Sequence, residues 1–142
     1  MNTDLSHARR LLLEKEYTCV LCRGEQVYTS ARRGVAPLMA WLEEGLELAG
    51  FSAADKVVGK AAALLYCLLG VRAVYARVIS QSALRVLDAQ GIPCFYDEWV
   101  PAIRNRAGDG LCPMEEATKD IWQPVQAPEA IRTALKSLTR GK

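Results

Sequence analysis

Val71-Arg72-Ala73-Val74-Tyr75-Ala76-Arg77-Val78-Ile79, followed by Ser80 and then by Ala83, Leu84 and Leu87, is the stretch that decides the fold. The run over 71–79 is β-branched and apolar apart from Arg72 and Arg77, the pattern of a strand near the centre of a sheet. Ser80 suits the N-cap of a helix whose apolar positions recur at 83, 84 and 87 and which Gly91 ends. Residues 92–96 then read as another short strand, with Pro93 marking its start or a sheet edge. Strand, helix and strand in this order predict a parallel crossover.

Working upstream, Asp55-Lys56-Val57-Val58-Gly59-Lys60-Ala61-Ala62-Ala63-Leu64-Leu65 reads as the start of an apolar helix with Asp55 as N-cap and Gly70 as its end. On that reading Lys56, Gly59, Lys60, Ala63 and Cys67 share one stripe. A helix this apolar is buried on most sides, so Lys56 and Lys60 stand out. Gly59 inside a helix costs about 1 kcal/mol relative to alanine, which points to close approach by another backbone or a ligand. Helix starts gather free N–H groups and the positive end of the dipole, so an anion site is expected here. Gly59-Lys60 is not a phosphate loop, because Ala54 and Ala61 stand where that motif needs a glycine and a hydroxyl residue.

Nearer the N-terminus, Asp4 or Ser6 can cap a first helix carrying Leu5, Ala8, Leu11 and Leu12. Residues 17–23 and 26–30 flank Gly24-Glu25 and predict a hairpin. Residues 35–48 predict a second helix, with Pro37 in its first turn and Gly50 at its end. A hairpin followed by alternating helices and strands gives an α/β, three-layer arrangement: a mixed sheet with helices on both faces. One domain over 1–142 is expected, with a core over 3–120 and a C-terminal helix (128–138) and tail over 121–142; Gly141 and Lys142 should fray.

The 142 residues carry a formal net charge of +2, with 51% hydrophobic and 24% charged residues. That balance is ordinary for a soluble protein and gives no footprint for nucleic acid. Asp4, His7, Arg9, Arg10, Glu14 and Lys15 interrupt any leader-like stretch, and the apolar run over 64–71 is too short to span a membrane. A cytoplasmic protein is expected. The 5 cysteines are odd in number, against a complete disulfide framework. Cys19 and Cys22 form a C-x-x-C, but on a strand they face opposite ways and are badly placed to share a metal.

The second candidate constellation is Arg104-Asn105-Arg106-Ala107-Gly108-Asp109-Gly110-Leu111-Cys112-Pro113-Met114-Glu115, at the end of an irregular segment over 97–111. Proline favours the first helical position, making Cys112 the N-cap of a short helix, where a thiol can become reactive. Arg104 or Arg106 can hold an anion, Glu115 can bond back to its own N-cap, and Asp109 is a turn residue or a ligand. His7, the sole histidine, is expected on an exposed helix face.

Three segments together resemble an uncharacterised bacterial family of domains of unknown function placed in the cytidine-deaminase-like superfamily. They are Asp55 through Ala63, Val78-Ile79-Ser80-Gln81-Ser82-Ala83-Leu84, and Asn105-Arg106 with Gly108, Gly110 and Cys112-Pro113-Met114-Glu115. The resemblance implies a helix, a hairpin and then alternating helices and strands. Deaminases of this fold carry His-x-Glu or Cys-x-Glu at one helix start and Pro-Cys-x-x-Cys at the next, binding a zinc that activates water. Here Asp55-Lys56 with Lys60, and Ser80-Gln81-Ser82-Ala83, take those places. A zinc-free protein is therefore expected, with no metal or cofactor.

These readings lead to a small anionic or nucleotide-like ligand held in a cleft near Lys60 by Asp55, Lys56, Gly59, Lys60, Ser80, Ser82, Arg104 and Asp109. The alternatives are an enzyme using Cys112 as nucleophile or Lys60 as an amine of lowered pKa, and an interaction module or homodimer presenting the Trp41 face.

Overall fold

The computed structural model describes residues 1–140, and the expected fraying of Gly141 and Lys142 falls outside them. The chain runs α1 (Thr3–Glu14), β1 (Cys19–Arg23), β2 (Gln26–Ser30), α2 (Ala36–Glu44), β3 (Ser52–Val58), α3 (Lys60–Leu69), β4 (Ala73–Ser80), α4 (Gln81–Ala89), β5 (Cys94–Val100), α5 (Pro113–Thr118) and α6 (Ala127–Arg140). The strands form one mixed sheet in the order β2-β1-β3-β4-β5. β1 is antiparallel to both neighbours, while β3, β4 and β5 are parallel.

The layers follow from which side each strand residue faces. Val20, Cys22, Ala54, Ala73 and Tyr75 meet Leu5, Ala8 and Leu12 of α1 on one face. Cys19, Leu21, Ala53, Val74 and Ala76 meet α2, α3 and α4 on the other. Cys19 and Cys22 thus lie in different layers, as the strand alternation requires. β4 is covered by buried apolar residues on both faces, which is why it reads as a continuous apolar run.

Several boundaries differ from the sequence reading, each for a local reason. Asn2, not Asp4 or Ser6, caps α1, its Oδ1 accepting from Leu5 N–H at 2.7 Å. Asp4 instead accepts from Gly24 N–H at 3.0 Å and ties the hairpin turn to α1. α2 ends at Gly45, whose φ of 71° stops the helix, so that Leu48 and Phe51 turn back into the core. Trp41 is 92% buried beside Tyr28, so the face expected to meet a partner is interior.

The largest correction concerns residues 52–58. They form the central strand β3, and Asp55 is a strand residue rather than a helix cap. Alanines 53 and 54 fill both faces of a strand covered on both sides, and small residues of that kind carry no alternating polarity to betray a strand. α3 begins only at Lys60, with Gly59 as N-cap. Residues 97–100 likewise extend β5, because a sheet-edge strand tolerates Asp97 and Glu98 facing water.

Candidate functional site

Asp55 stands in the middle of β3 opposite Cys19 of β1, and α3 lowers Tyr66 onto both. Tyr66 Oη donates to Asp55 Oδ2 at 2.6 Å and lies 3.2 Å from Cys19 Sγ. Val57 N–H donates to Asp55 Oδ1 at the longer distance of 3.3 Å. Burial pushes the Asp55 carboxyl from 3.8 up to about 7, opposed by the Tyr66 hydrogen bond and the backbone N–H groups of Val57 and Lys56. Burial and the nearby Asp55 charge likewise raise the Tyr66 phenol and the Cys19 thiol.

Next along the chain, Glu115 of α5 reaches the first turn of α3. Its Oε1 accepts from Lys60 N–H at 2.5 Å, supplying the cap that Gly59 has no side chain to make. Gly59 leaves room for that carboxylate. A Cβ there would lie 2.5 Å from Glu115 Oε1 and 3.4 Å from Ile103 Cγ1. The close approach inferred from Gly59 is therefore real, but the approaching group is a carboxylate of this chain, and it occupies the helix start where a ligand anion was expected.

The Lys60 side chain turns away. It is 98% buried, with Nζ donating to the Lys119 carbonyl at 2.9 Å and lying 3.5 Å from the centroid of the Trp122 ring. Burial lowers its pKa, while Asp120 and Glu115 act in the opposite direction. Lys60 thus fastens the segment after α5 to α3 and is not part of the cavity wall.

Between the start of α2, the start of α3 and the segment after β5 lies a cavity of about 340 Å³. Val35, Val57, Ala61, Ala62, Ile103 and Met114 give it apolar walls. Asp55 and Glu115, each more than nine-tenths buried, line it together with Cys112 and Thr18. Arg33 and Lys56 are exposed members of the same wall.

Of the residues singled out from the sequence, Asp55, Lys56, Gly59 and Cys112 meet at this cavity. Ser80, Ser82, Arg104 and Asp109 do not line it. Ser80 is buried as the N-cap of α4, accepting from Ala83 N–H at 3.2 Å and sharing a 3.3 Å hydrogen bond with Ser82 Oγ. Arg104 pairs with Leu111 across a small hairpin, while the flanking pair Ile103 and Cys112 lines the cavity. Adjacent hairpin residues point oppositely, so Arg104 is directed away. Asp109 accepts from the Asn105 amide at 3.0 Å and is exposed at the hairpin tip.

Cys112 is the N-cap of α5, as proline at the first helical position requires. Glu115 was expected to cap its own helix and caps α3 instead. Tyr66 and Ile103 gave no signal in the sequence, and Arg33, in a basic turn, and Met114, in the Cys112-Pro113-Met114-Glu115 motif, were not read as site residues, because each joins the site through tertiary packing. Among the described residues no group of three or more His, Cys, Asp and Glu side chains could hold a metal ion, and no helix is long and apolar enough to cross a membrane.

A mixed five-stranded sheet with this cavity at two helix starts defines an α/β domain, and its family follows from comparison. The chain belongs to the DUF1893 family, a domain of unknown function whose model (TM1506) matches residues 7–135. The solved structure of a DUF1893 family protein, TM1506 from Thermotoga maritima, is similar to it, with 26% identity, a TM-score of 0.82, and coverage of 96% of this chain and 92% of that one. No curated protein matches.

Proposed function

We propose that the chain binds a small nucleotide-like ligand in the cavity between α2 and α3, without a zinc ion. The polarity of the site differs from the anion pocket suggested by the lysines. Two buried carboxylates, Asp55 and Glu115, make the interior an acceptor of hydrogen bonds, while the exposed Arg33 and Lys56 bring positive charge to the rim. A planar heterocycle with N–H donors fits inward against the apolar walls, and an anionic group fits outward. This division of charge is the observation that carries the reading. The kinship with cytidine-deaminase-like proteins is part of it: the cavity sits at the start of α3, one of the two helix starts where such enzymes keep their metal ligands, although Ser80 and Ser82 at the other, the start of α4, do not line it.

Thermal unfolding with nucleoside monophosphates, nucleosides and inorganic phosphate tests this. Nucleotides should raise the Tm more than nucleosides, and phosphate alone should do little. Replacing both Arg33 and Lys56 by alanine should erase the advantage of nucleotides over nucleosides. A Tm that no nucleotide or nucleoside moves at millimolar concentration rejects the reading.

A further inference from the structure

We propose that Asp55 is a general base that abstracts a proton from a small planar heterocycle held in this cavity. The proposal rests on the binding reading above for its substrate class, and it adds a chemical step. Three observations lead to it. The carboxylate lies in the wall of a cavity whose other lining is largely apolar, so an ionised Asp55 is poorly solvated and correspondingly basic. One oxygen, Oδ2, is fixed by the 2.6 Å bond from Tyr66, which sets the plane of the carboxylate. The other, Oδ1, accepts a long 3.3 Å bond from Val57 N–H and, with more than one lone pair, retains capacity to accept a proton. Tyr66 is a positioning residue, acting through Asp55. The charged and titratable groups facing Asp55 are Tyr66 from α3, Cys19 from β1, Glu115 and Cys112 from the α5 region, and Lys56 and Arg33 at the rim.

5-Nitrobenzisoxazole is a suitable probe, being small, planar and uncharged with one acidic C–H. The Asp55 carboxylate takes that proton, the C–H electron pair becomes the third C–N bond of a nitrile, and the N–O bond breaks to leave a phenolate. Water then removes the proton from Asp55, so no oxidant, metal or co-reactant is needed. The phenolate is followed by its absorbance.

Saturable elimination exceeding that by an equal concentration of acetate by about 10²-fold or more is expected. It should rise with pH through about 7, where Asp55 ionises, and then level off. Asp55→Asn should abolish it while circular dichroism shows the fold retained. Tyr66→Phe removes a bond that favours the ionised carboxylate, so the midpoint should move to higher pH; because this variant keeps Asp55, it tests the proposal even if Asp55→Asn does not fold. A rate no better than acetate, full activity in folded Asp55→Asn, or an unmoved midpoint in Tyr66→Phe overturns the proposal. Nucleotides that raise the Tm of a protein inactive on the probe would overturn the base and leave the binding site standing. Turnover without any nucleotide or nucleoside effect would support the base and reject the ligand class.

Discussion

Glu115 Oε1 accepts a hydrogen bond from the backbone N–H of Lys60, joining α5 to the first turn of a helix 55 residues earlier in the chain. The contact closes one side of the cavity and fills a donor that α3 would otherwise leave free. Gly59 makes room for it. Its φ of −92° is open to any residue, so the demand at this position is for space rather than for an unusual backbone. Gly59→Ala should therefore destabilise by roughly 1–3 kcal/mol through overpacking. Glu115→Ala should lose about 1 kcal/mol of capping. Adding Glu115→Ala to Gly59→Ala should cost less than the sum, because the first change removes the atoms that the new Cβ meets. Urea unfolding of the two single variants and the double variant measures this, and strict additivity would contradict the steric account.

Lys60 makes a separable prediction. Its ammonium serves the Lys119 carbonyl and the Trp122 ring, so Lys60→Met keeps most of the buried stem and removes both contacts. A loss of about 1–2 kcal/mol is expected, from one charge-assisted hydrogen bond and one cation–π contact. Trp122→Leu should overlap with that loss in a double-mutant cycle, since the two residues share an interaction. Ligand affinity should be unchanged in Lys60→Met, because the ammonium lies outside the cavity. A large loss of affinity without a loss of stability would put the amine back in the site.

How far the sequence could be read depends on whether a residue's signal was local. The continuous apolar run over 71–79, the serine cap at Ser80 and proline after Cys112 are local, and they placed β4, α4 and α5. Cys112 was legible as the residue before a helix-starting proline, whereas Asp55 was singled out through a helix-cap reading that the structure replaces with a strand. The strand β3 was not legible, because Ala53 and Ala54 are buried on opposite faces and leave no period. Glu115 offers a local cap in the sequence and takes a distant one in the fold, and only the packing of α5 on α3 decides between them. Lys60 was singled out correctly as an anomaly in an apolar helix, but the direction of its side chain is set by Lys119 and Trp122, far along the chain.

The thiols give a third prediction. Burial pushes Cys22 and Cys67 up to about 11 and Cys94 up to about 12, and Cys19 is also raised. Thiolate is the reactive form, so these four should label slowly in the folded protein at neutral pH. Cys112 is half-buried in the cavity wall and should label first. A nucleotide bound in the cavity should slow that labelling by covering the sulfur. Mass mapping after a limiting dose of iodoacetamide, with and without nucleotide, reads both effects; preferential labelling of Cys67 or Cys94 would contradict the order.

Asp55 also leaves a signature in stability that needs no ligand. Its carboxyl is raised from 3.8 to about 7 in the folded protein, chiefly by burial. Between those limits the folded state binds a proton that the unfolded chain has released. The group's stabilising contribution is therefore complete below about pH 4, falls as pH rises toward 7, and is constant above that. Roughly three pH units at about 1.36 kcal/mol each put the full change on the order of 4 kcal/mol. Asp55→Asn cannot titrate and should flatten this limb, gaining relative to the parent as pH rises from about 5 to about 8. Urea unfolding of both proteins across that range separates this carboxyl from the other titrating groups, which the two proteins share. Parallel curves for parent and variant would mean that Asp55 ionises as an ordinary carboxylate, and the case for it as a base near neutral pH would fall with that result.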